Sequence, residues 1–132
     1  MHSLVAKFCH FEGAGIALLS QEKRELLVPL TGGTYAIPEC LCLLWDTVQN
    51  KTMKVFENVR RKIQFDPATD NISEVGDLDN CLFACLLGPE NQVVGVLQLA
   101  NKTTGNITPG DIQIAGQLSV LIGNIAAVLV GC

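Results

Sequence analysis

The sequence predicts an α+β fold: an antiparallel sheet of about five or six strands, with the terminal helices on one face and a short helix plus loops on the other. Residues 81–87 and 93–99 are strongly apolar segments of strand length joined by a compact polar connection, which indicates a central hairpin. Residues 109–130 begin with proline and continue as a long apolar segment, which is typical of a core helix. A long polar connection over residues 66–79 is the first place to look for a site.

Composition limits the class of protein. The 132 residues suffice for one domain, taken here as 1–132, and their 48% hydrophobic content indicates a folded core. A net charge of −4 gives no reason to expect nucleic acid, and the short basic run at residues 60–62 is typical of a solvated loop. We expect no membrane span, because residues 118–130 are short for one and contain Asn124.

The N-terminal segment lacks the pattern of a secretion signal, so we expect a cytoplasmic protein whose six cysteines are thiols. Leu4, Val5 and Phe8 have helical spacing, which indicates the tail of a first helix whose start is truncated. The apolar runs 16–19 and 26–28 then predict a hairpin closed by a charged loop.

Two further segments complete the predicted order. From Pro38 to Asn50 an apolar stripe with i, i+3, i+4, i+7 spacing predicts a helix; its members are Leu41, Leu44, Trp45 and Val48. Residues 53–56 are predicted to form a short strand. In the last helix Thr108 is the expected N-cap, and one stripe is expected to pack on the sheet: Ile114, Leu118, Leu121, Ile125 and Val128. Gly116 and Gly123 would then lie on the opposite side, where a second copy could approach closely.

This order of elements resembles that of the GAF domain, a module of cyclic-nucleotide phosphodiesterases, adenylyl cyclases and many signalling proteins. The resemblance covers nearly the whole chain from about Leu4, and its most specific part is residues 91–102, NQVVGVLQLANK, which resemble the family's penultimate strand and its Asn-Lys pair. Asn101, Lys102 and Asp111 match the longer phosphodiesterase motif, whereas its Phe and Glu are replaced; Ile107 and Ile112 stand in their places. The resemblance implies an ion pair between Lys102 and Asp111 that ties the loop to the last helix.

The resemblance also implies a ligand site. Phe65 lies five residues before Asp70, in a segment similar to the one that closes over a cyclic nucleotide in some members. Phe65 is thus a candidate for stacking on a planar base, and Asp66 a candidate for accepting hydrogen bonds from it. The alternative is that Phe65 is a hydrophobic anchor. A missing Pro, where Leu86 stands, is a further departure from the phosphodiesterase pattern.

Enzymatic and metal sites have weaker support. Cys40 and Cys42 are too closely spaced for a usual zinc pair, and Cys81 and Cys85 lie among apolar residues, so we expect buried thiols and no metal. The acidic residues of the long connection lack calcium-loop spacing and are expected to be solvated. Some GAF-like proteins are methionine sulfoxide reductases, and Cys40 is the one cysteine placed for such a role.

The expected function is therefore a non-enzymatic regulatory sensor module of a larger signalling protein, without a cofactor. It would bind a small planar ligand, for which a cyclic nucleotide is one choice, and form a homodimer through its terminal helices. The alternatives are a degenerate domain that serves only as a dimerisation or scaffold element, and the reductase.

Overall fold

The computed structural model describes residues 10–30, 33–62, 65–66, 69–73, 75–103 and 105–129. Within these ranges one sheet has six strands in the order β3-β2-β1-β6-β5-β4, every neighbouring pair antiparallel. The strands are β1 Phe11–Ser20, β2 Glu25–Leu30, β3 Gly33–Pro38, β4 Lys54–Phe56, β5 Cys81–Leu87 and β6 Val93–Lys102. The helices are α1 Leu43–Asn50 and α2 Pro109–Leu129, and a single 3-10 turn spans Val59–Arg61.

The sheet separates two layers of core. Because side chains alternate along a strand, the register Gly15↔Gln98↔Phe83 places these three residues on one face. Helix α1 and the connection between β4 and β5 cover this face. The opposite face is covered by α2 and contains Leu82, Leu97 and their neighbours. The predicted α+β fold with five or six strands is confirmed.

The edge of the sheet differs from the prediction. Residues 33–38 form β3, a strand that the sequence reading missed, so Pro38 ends a strand and does not open a helix. Helix α1 begins only at Leu43, and Leu41, expected in its buried stripe, is 93% exposed. The pairing of β3 with β2 decides the conformation here, since the partner strand satisfies backbone groups that the segment alone could not. The predicted first helix lies outside the described residues.

The face that α2 presents to the sheet was also predicted wrongly. Leu121, Ile125 and Val128, expected in the core, are exposed, whereas Ala115, Ile122 and Ala126 are buried. Gly123 lies against β5, so closely that a Cβ atom there would be 2.3 Å from the carbonyl oxygen of Leu87. Small residues let α2 approach the strand, and close approach to the sheet decided which stripe faces inward.

By length and composition alone, α2 is long and apolar enough over Pro109–Val128 to cross a membrane. The sequence reading, which considered only residues 118–130, expected no such segment. The core helix of a globular domain can be equally long and apolar, and 39% of this segment is buried inside the fold.

Candidate functional site

The segment that connects β4 to β5, described at residues 57–62, 65–66, 69–73 and 75–80, lies over one face of the sheet; we call it the cover loop. Its backbone touches β1 at two glycines. A Cβ atom on Gly15 would lie 2.3 Å from the carbonyl oxygen of Ile72, and one on Gly13 would lie 3.1 Å from that of Ser73. Only glycine permits this contact without movement of the backbone. The cover loop is thus packed directly on the sheet.

Gln98, in the middle of β6, holds the cover loop in place. Its side chain is fully buried, and its Oε1 accepts hydrogen bonds from the backbone N–H groups of Ile72 and Ser73, both at 3.0 Å. Its Nε2 donates to the carbonyl oxygen of Asp70 at 2.5 Å. One amide therefore satisfies three backbone groups of the loop that would otherwise be buried without partners.

Asp70 joins the cover loop to α1. Its carboxylate accepts hydrogen bonds from the N–H groups of Leu43 and Leu44, at 3.2 and 3.0 Å, and from that of Asp66 at 2.8 Å. The first two belong to the free N–H groups at the start of a helix, where a negative charge is stabilised. Burial nevertheless raises the pKa of Asp70, and these hydrogen bonds act in the opposite direction. Asp70 was expected to be a solvated loop residue; that expectation is wrong, since it is fully buried.

The two residues proposed for ligand contact, Phe65 and Asp66, are both half-buried. Phe65 packs against the core cluster beneath the cover loop, which is the arrangement of a hydrophobic anchor. The backbone N–H of Asp66 donates to Asp70, as described above. Asn101 and Lys102, the predicted site residues at the end of β6, are not grouped with Phe65 and Asp66, because they lie where the cover loop returns to the sheet.

Asn101 fixes that return. Its side-chain Oδ1 accepts from the N–H of Asp79 at 2.8 Å, and its Nδ2 donates to the carbonyl oxygen of Asp77 at 2.6 Å. Asn101 has φ 58°, a left-handed conformation that asparagine tolerates better than most residues. Two side-chain amides of β6 thus hold the cover loop: Gln98 binds its residues 70–73, and Asn101 binds its residues 77–79.

Lys102 and Asp111 form the ion pair that the resemblance implied. The Nζ–Oδ1 distance is 2.6 Å, and both side chains are only 9% exposed. Asp111 also accepts from the N–H of Thr108 at 2.8 Å, while the Thr108 hydroxyl accepts from the N–H of Asp111 at 3.1 Å, so the two form a reciprocal cap on α2. Burial opposes ionisation of Asp111, but the hydrogen bonds from Lys102 and Thr108 outweigh it and hold its pKa below the ordinary value. Phe11 flanks Lys102, with its ring centroid 5.5 Å from Nζ.

The four cysteines that the structure describes divide by exposure. Cys42, Cys81 and Cys85 are buried thiols, whereas Cys40 is exposed. Burial raises the pKa of Cys85 to about 11 and that of Cys81 further. Among the described residues, no group of three or more His, Cys, Asp or Glu side chains is placed to hold a metal ion.

Sequence reasoning missed two central residues of this site. Gln98 was quoted only as part of a motif, although a lone amide inside the apolar run 93–99 had to be either buried with partners or at an edge. That signal was available. Asp70 gave no such signal, because nothing local distinguishes it from the neighbouring solvated acids Asp77 and Asp79.

No protein-family model and no curated protein sequence matches this chain. Solved structures do. The GAF domain of a phosphoenolpyruvate-protein phosphotransferase from Acinetobacter matches with a TM-score of 0.79 at 18% identity, over 99% of this chain and 81% of the other. The GAF domain of a two-component sensor histidine kinase from Bacillus halodurans matches with a TM-score of 0.64 at 18% identity, over 98% and 94%.

A free methionine-R-sulfoxide reductase from Neisseria meningitidis, solved with its substrate, also matches, with a TM-score of 0.72 at 13% identity over 98% of this chain and 74% of the other. Sensor domains and enzymes thus share this architecture, and identities this low show the fold and not the activity. The six-stranded sheet, the cover loop and α2 together identify the architecture: this chain has the GAF fold.

Proposed function

We propose that the chain is a regulatory module of a larger signalling protein that acts by pairing with a second copy through α2. The observation that carries the proposal is an exposed apolar surface on that helix, which we call the outer face: Val120, Leu121, Ile125 and Val128, between 49% and 80% exposed. The GAF fold shared with a sensor histidine kinase and a phosphotransferase supports a regulatory setting.

A second copy is the occupant that suits the outer face. After Asp111 the chain contains no charged residue, so two identical helices can approach without repulsion between like charges. An uncharged apolar surface also offers nothing to select a charged partner. Apolar surface of this kind marks an interaction site, because its burial is the main favourable contribution to association.

The cover loop supports a role without a ligand beneath it. The space between the loop and the sheet contains the chain's own buried side chains, among them Trp45, Ile72 and Phe83. Gln98 and Asp70 satisfy the backbone groups of the loop from within the chain. This is the arrangement expected of the degenerate alternative, a domain that retains the fold for assembly.

Light scattering tests the pairing. The chain is expected to be a dimer at micromolar concentration, and Leu121→Glu is expected to give a folded monomer because it places a charge in the middle of the outer face. Gln113→Glu is the matched control, since it adds the same charge at an exposed position of α2 about 12 Å along the helix. A monomeric parent chain at high micromolar concentration, or a dimer that survives Leu121→Glu, contradicts the proposal.

A small planar ligand is the second candidate function, and the position of Phe65 and Asp66 on the cover loop favours it. Both residues retain exposed surface, and they are adjacent, as stacking and hydrogen bonding to one base would require. A ligand that binds only the folded chain at 100 times its dissociation constant adds about 2.7 kcal/mol of stability. Melting curves with cyclic nucleotides check this, and the increase should be lost in Phe65→Ala; no change at millimolar concentration removes the candidate.

The reductase alternative is favoured by one observation, the exposed Cys40 with a second thiol beside it. The activity of the Neisseria meningitidis protein with the same fold, reduction of free methionine-R-sulfoxide, provides the assay. If the alternative holds, the chain converts this sulfoxide to methionine in the presence of a dithiol reductant, and Cys40→Ser abolishes turnover. Equal rates with and without the chain would exclude it.

A further inference from the structure

Two cysteines meet just before α1. The Sγ atoms of Cys40 and Cys42 are 3.4 Å apart, brought together by a bend at residues 41–42. Cys40 is exposed and Cys42 is 2% exposed, so the pair extends from solvent into the core. A disulfide has its sulfur atoms about 2.05 Å apart, so the two sulfurs must approach each other by about 1.4 Å for the bond to form.

We propose that Cys40 and Cys42 form an oxidisable dithiol that reacts with hydroperoxides to give a reversible disulfide within the chain. In the first step the Cys40 thiolate attacks the hydroperoxide and the O–O bond breaks, so that Cys40 becomes a sulfenic acid and the leaving alkoxide or hydroxide takes a proton from water to give an alcohol or water. In the second step the Cys42 sulfur attacks the Cys40 sulfur. The S–S bond forms, the S–O bond breaks, and the hydroxyl group leaves with the Cys42 proton as water.

The difference in exposure sets the order of these steps. Cys40 faces solvent, where a hydroperoxide can reach it. Cys42 is shielded, and burial raises the pKa of its thiol to about 12, so it has little reactivity of its own toward a dissolved oxidant. The Cys40 sulfur lies 3.4 Å from the Cys42 sulfur, so the second step is intramolecular, which favours the disulfide over further oxidation of Cys40.

The disulfide acts on the start of α1. The carbonyl oxygen of Cys42 accepts the N–H of Asp46 at 3.0 Å, and the next two residues donate to Asp70 of the cover loop. Drawing the Cys42 sulfur outward therefore disturbs the contact between α1 and the cover loop. A ring closed across one intervening residue is strained, and strained disulfides are the more readily reduced ones, so the change is reversible.

Peptide mapping tests the proposal on the unaltered chain. Trypsin releases residues 25–51 as one peptide that contains Cys40 and Cys42, and residues 63–102 as another that contains Cys81 and Cys85. After brief treatment with hydrogen peroxide and acid quenching, peptide 25–51 is expected to have lost two hydrogen atoms. Peptide 63–102 is the internal control and is expected to keep both thiols. Dithiothreitol restores the first peptide.

Two variants assign the steps. In Cys42→Ser, dimedone is expected to trap a sulfenic acid on Cys40, because the resolving thiol is gone; in Cys40→Ser, Cys42 stays a thiol. Trp45 is the chain's one tryptophan and lies in the first turn of α1, where its indole N–H donates to Ile37, so its emission is expected to shift on oxidation. The proposal is overturned if peptide 25–51 keeps its hydrogens, gains oxygen instead, or is cross-linked to another peptide.

Discussion

Replacing Gln98 by Met tests whether one amide holds the cover loop on the sheet. Met has nearly the same length as Gln but neither donates nor accepts as the amide does, so Gln98→Met removes three hydrogen bonds while it retains the packing. The N–H groups of Ile72 and Ser73 and the carbonyl group of Asp70 would lose their partner. At about 1 kcal/mol for each buried group, the free energy of unfolding should fall by about 3 kcal/mol.

Urea denaturation followed by Trp45 fluorescence measures this loss, and hydrogen exchange locates it at the amides of Ile72 and Ser73. Gln113→Met is the control: the same substitution at an exposed position on α2 should change stability by less than about 0.5 kcal/mol. If Gln98→Met costs under 1 kcal/mol and the two amides remain protected, the cover loop is held by packing alone and the role given to Gln98 is wrong.

Three further substitutions test the rest of the structure. Gly15→Ala should destabilise the fold by about 1–3 kcal/mol and increase proteolysis within the cover loop, because its methyl group meets the Ile72 carbonyl group. Lys102→Met should cost about 3 kcal/mol at pH 7, since it leaves Asp111 buried without its cation. The pKa of Asp111 is depressed in the folded chain, so this stabilisation is present above about pH 4 and is lost as the pH falls through the folded-state value; the unfolding free energies of variant and parent should converge in acid. Gly123→Glu should prevent folding rather than dissociate a dimer, and a stable Gly123→Glu chain would contradict the packing of α2 on β5.

The parts of the fold that local chemistry decides were predictable. The β5–β6 hairpin follows from two apolar runs and a polar turn, and the cap at Thr108 follows from its position before Pro109. The pair of Lys102 and Asp111 came from the resemblance and not from spacing, because residues that pair across a loop leave no periodic signal.

The errors share a physical cause, which is competition between segments for the same surface. Leu121 and Ala115 both lie on apolar stripes of α2, and the bulkier stripe seemed the better candidate for the core. The stripe that contains Ala115 packs against the sheet instead, because its small side chains and Gly123 allow closer contact with β5. Likewise the sequence predicted no contact between Cys40 and Cys42, because the bend at residues 41–42 that brings their sulfurs together has no periodic signal.

Strand β6 serves both layers of the molecule. Gln98 and Lys102 are four positions apart, so in an uninterrupted strand they would point to the same face. The left-handed residue Asn101 redirects the chain between them, and Lys102 bonds to α2 while Gln98 bonds to the cover loop. The cover loop and the start of α2 are therefore connected through consecutive peptide units of one strand. A displacement of the cover loop, by a ligand or by oxidation of the dithiol, would be transmitted to α2, because the few peptide units between Gln98 and Lys102 cannot stretch.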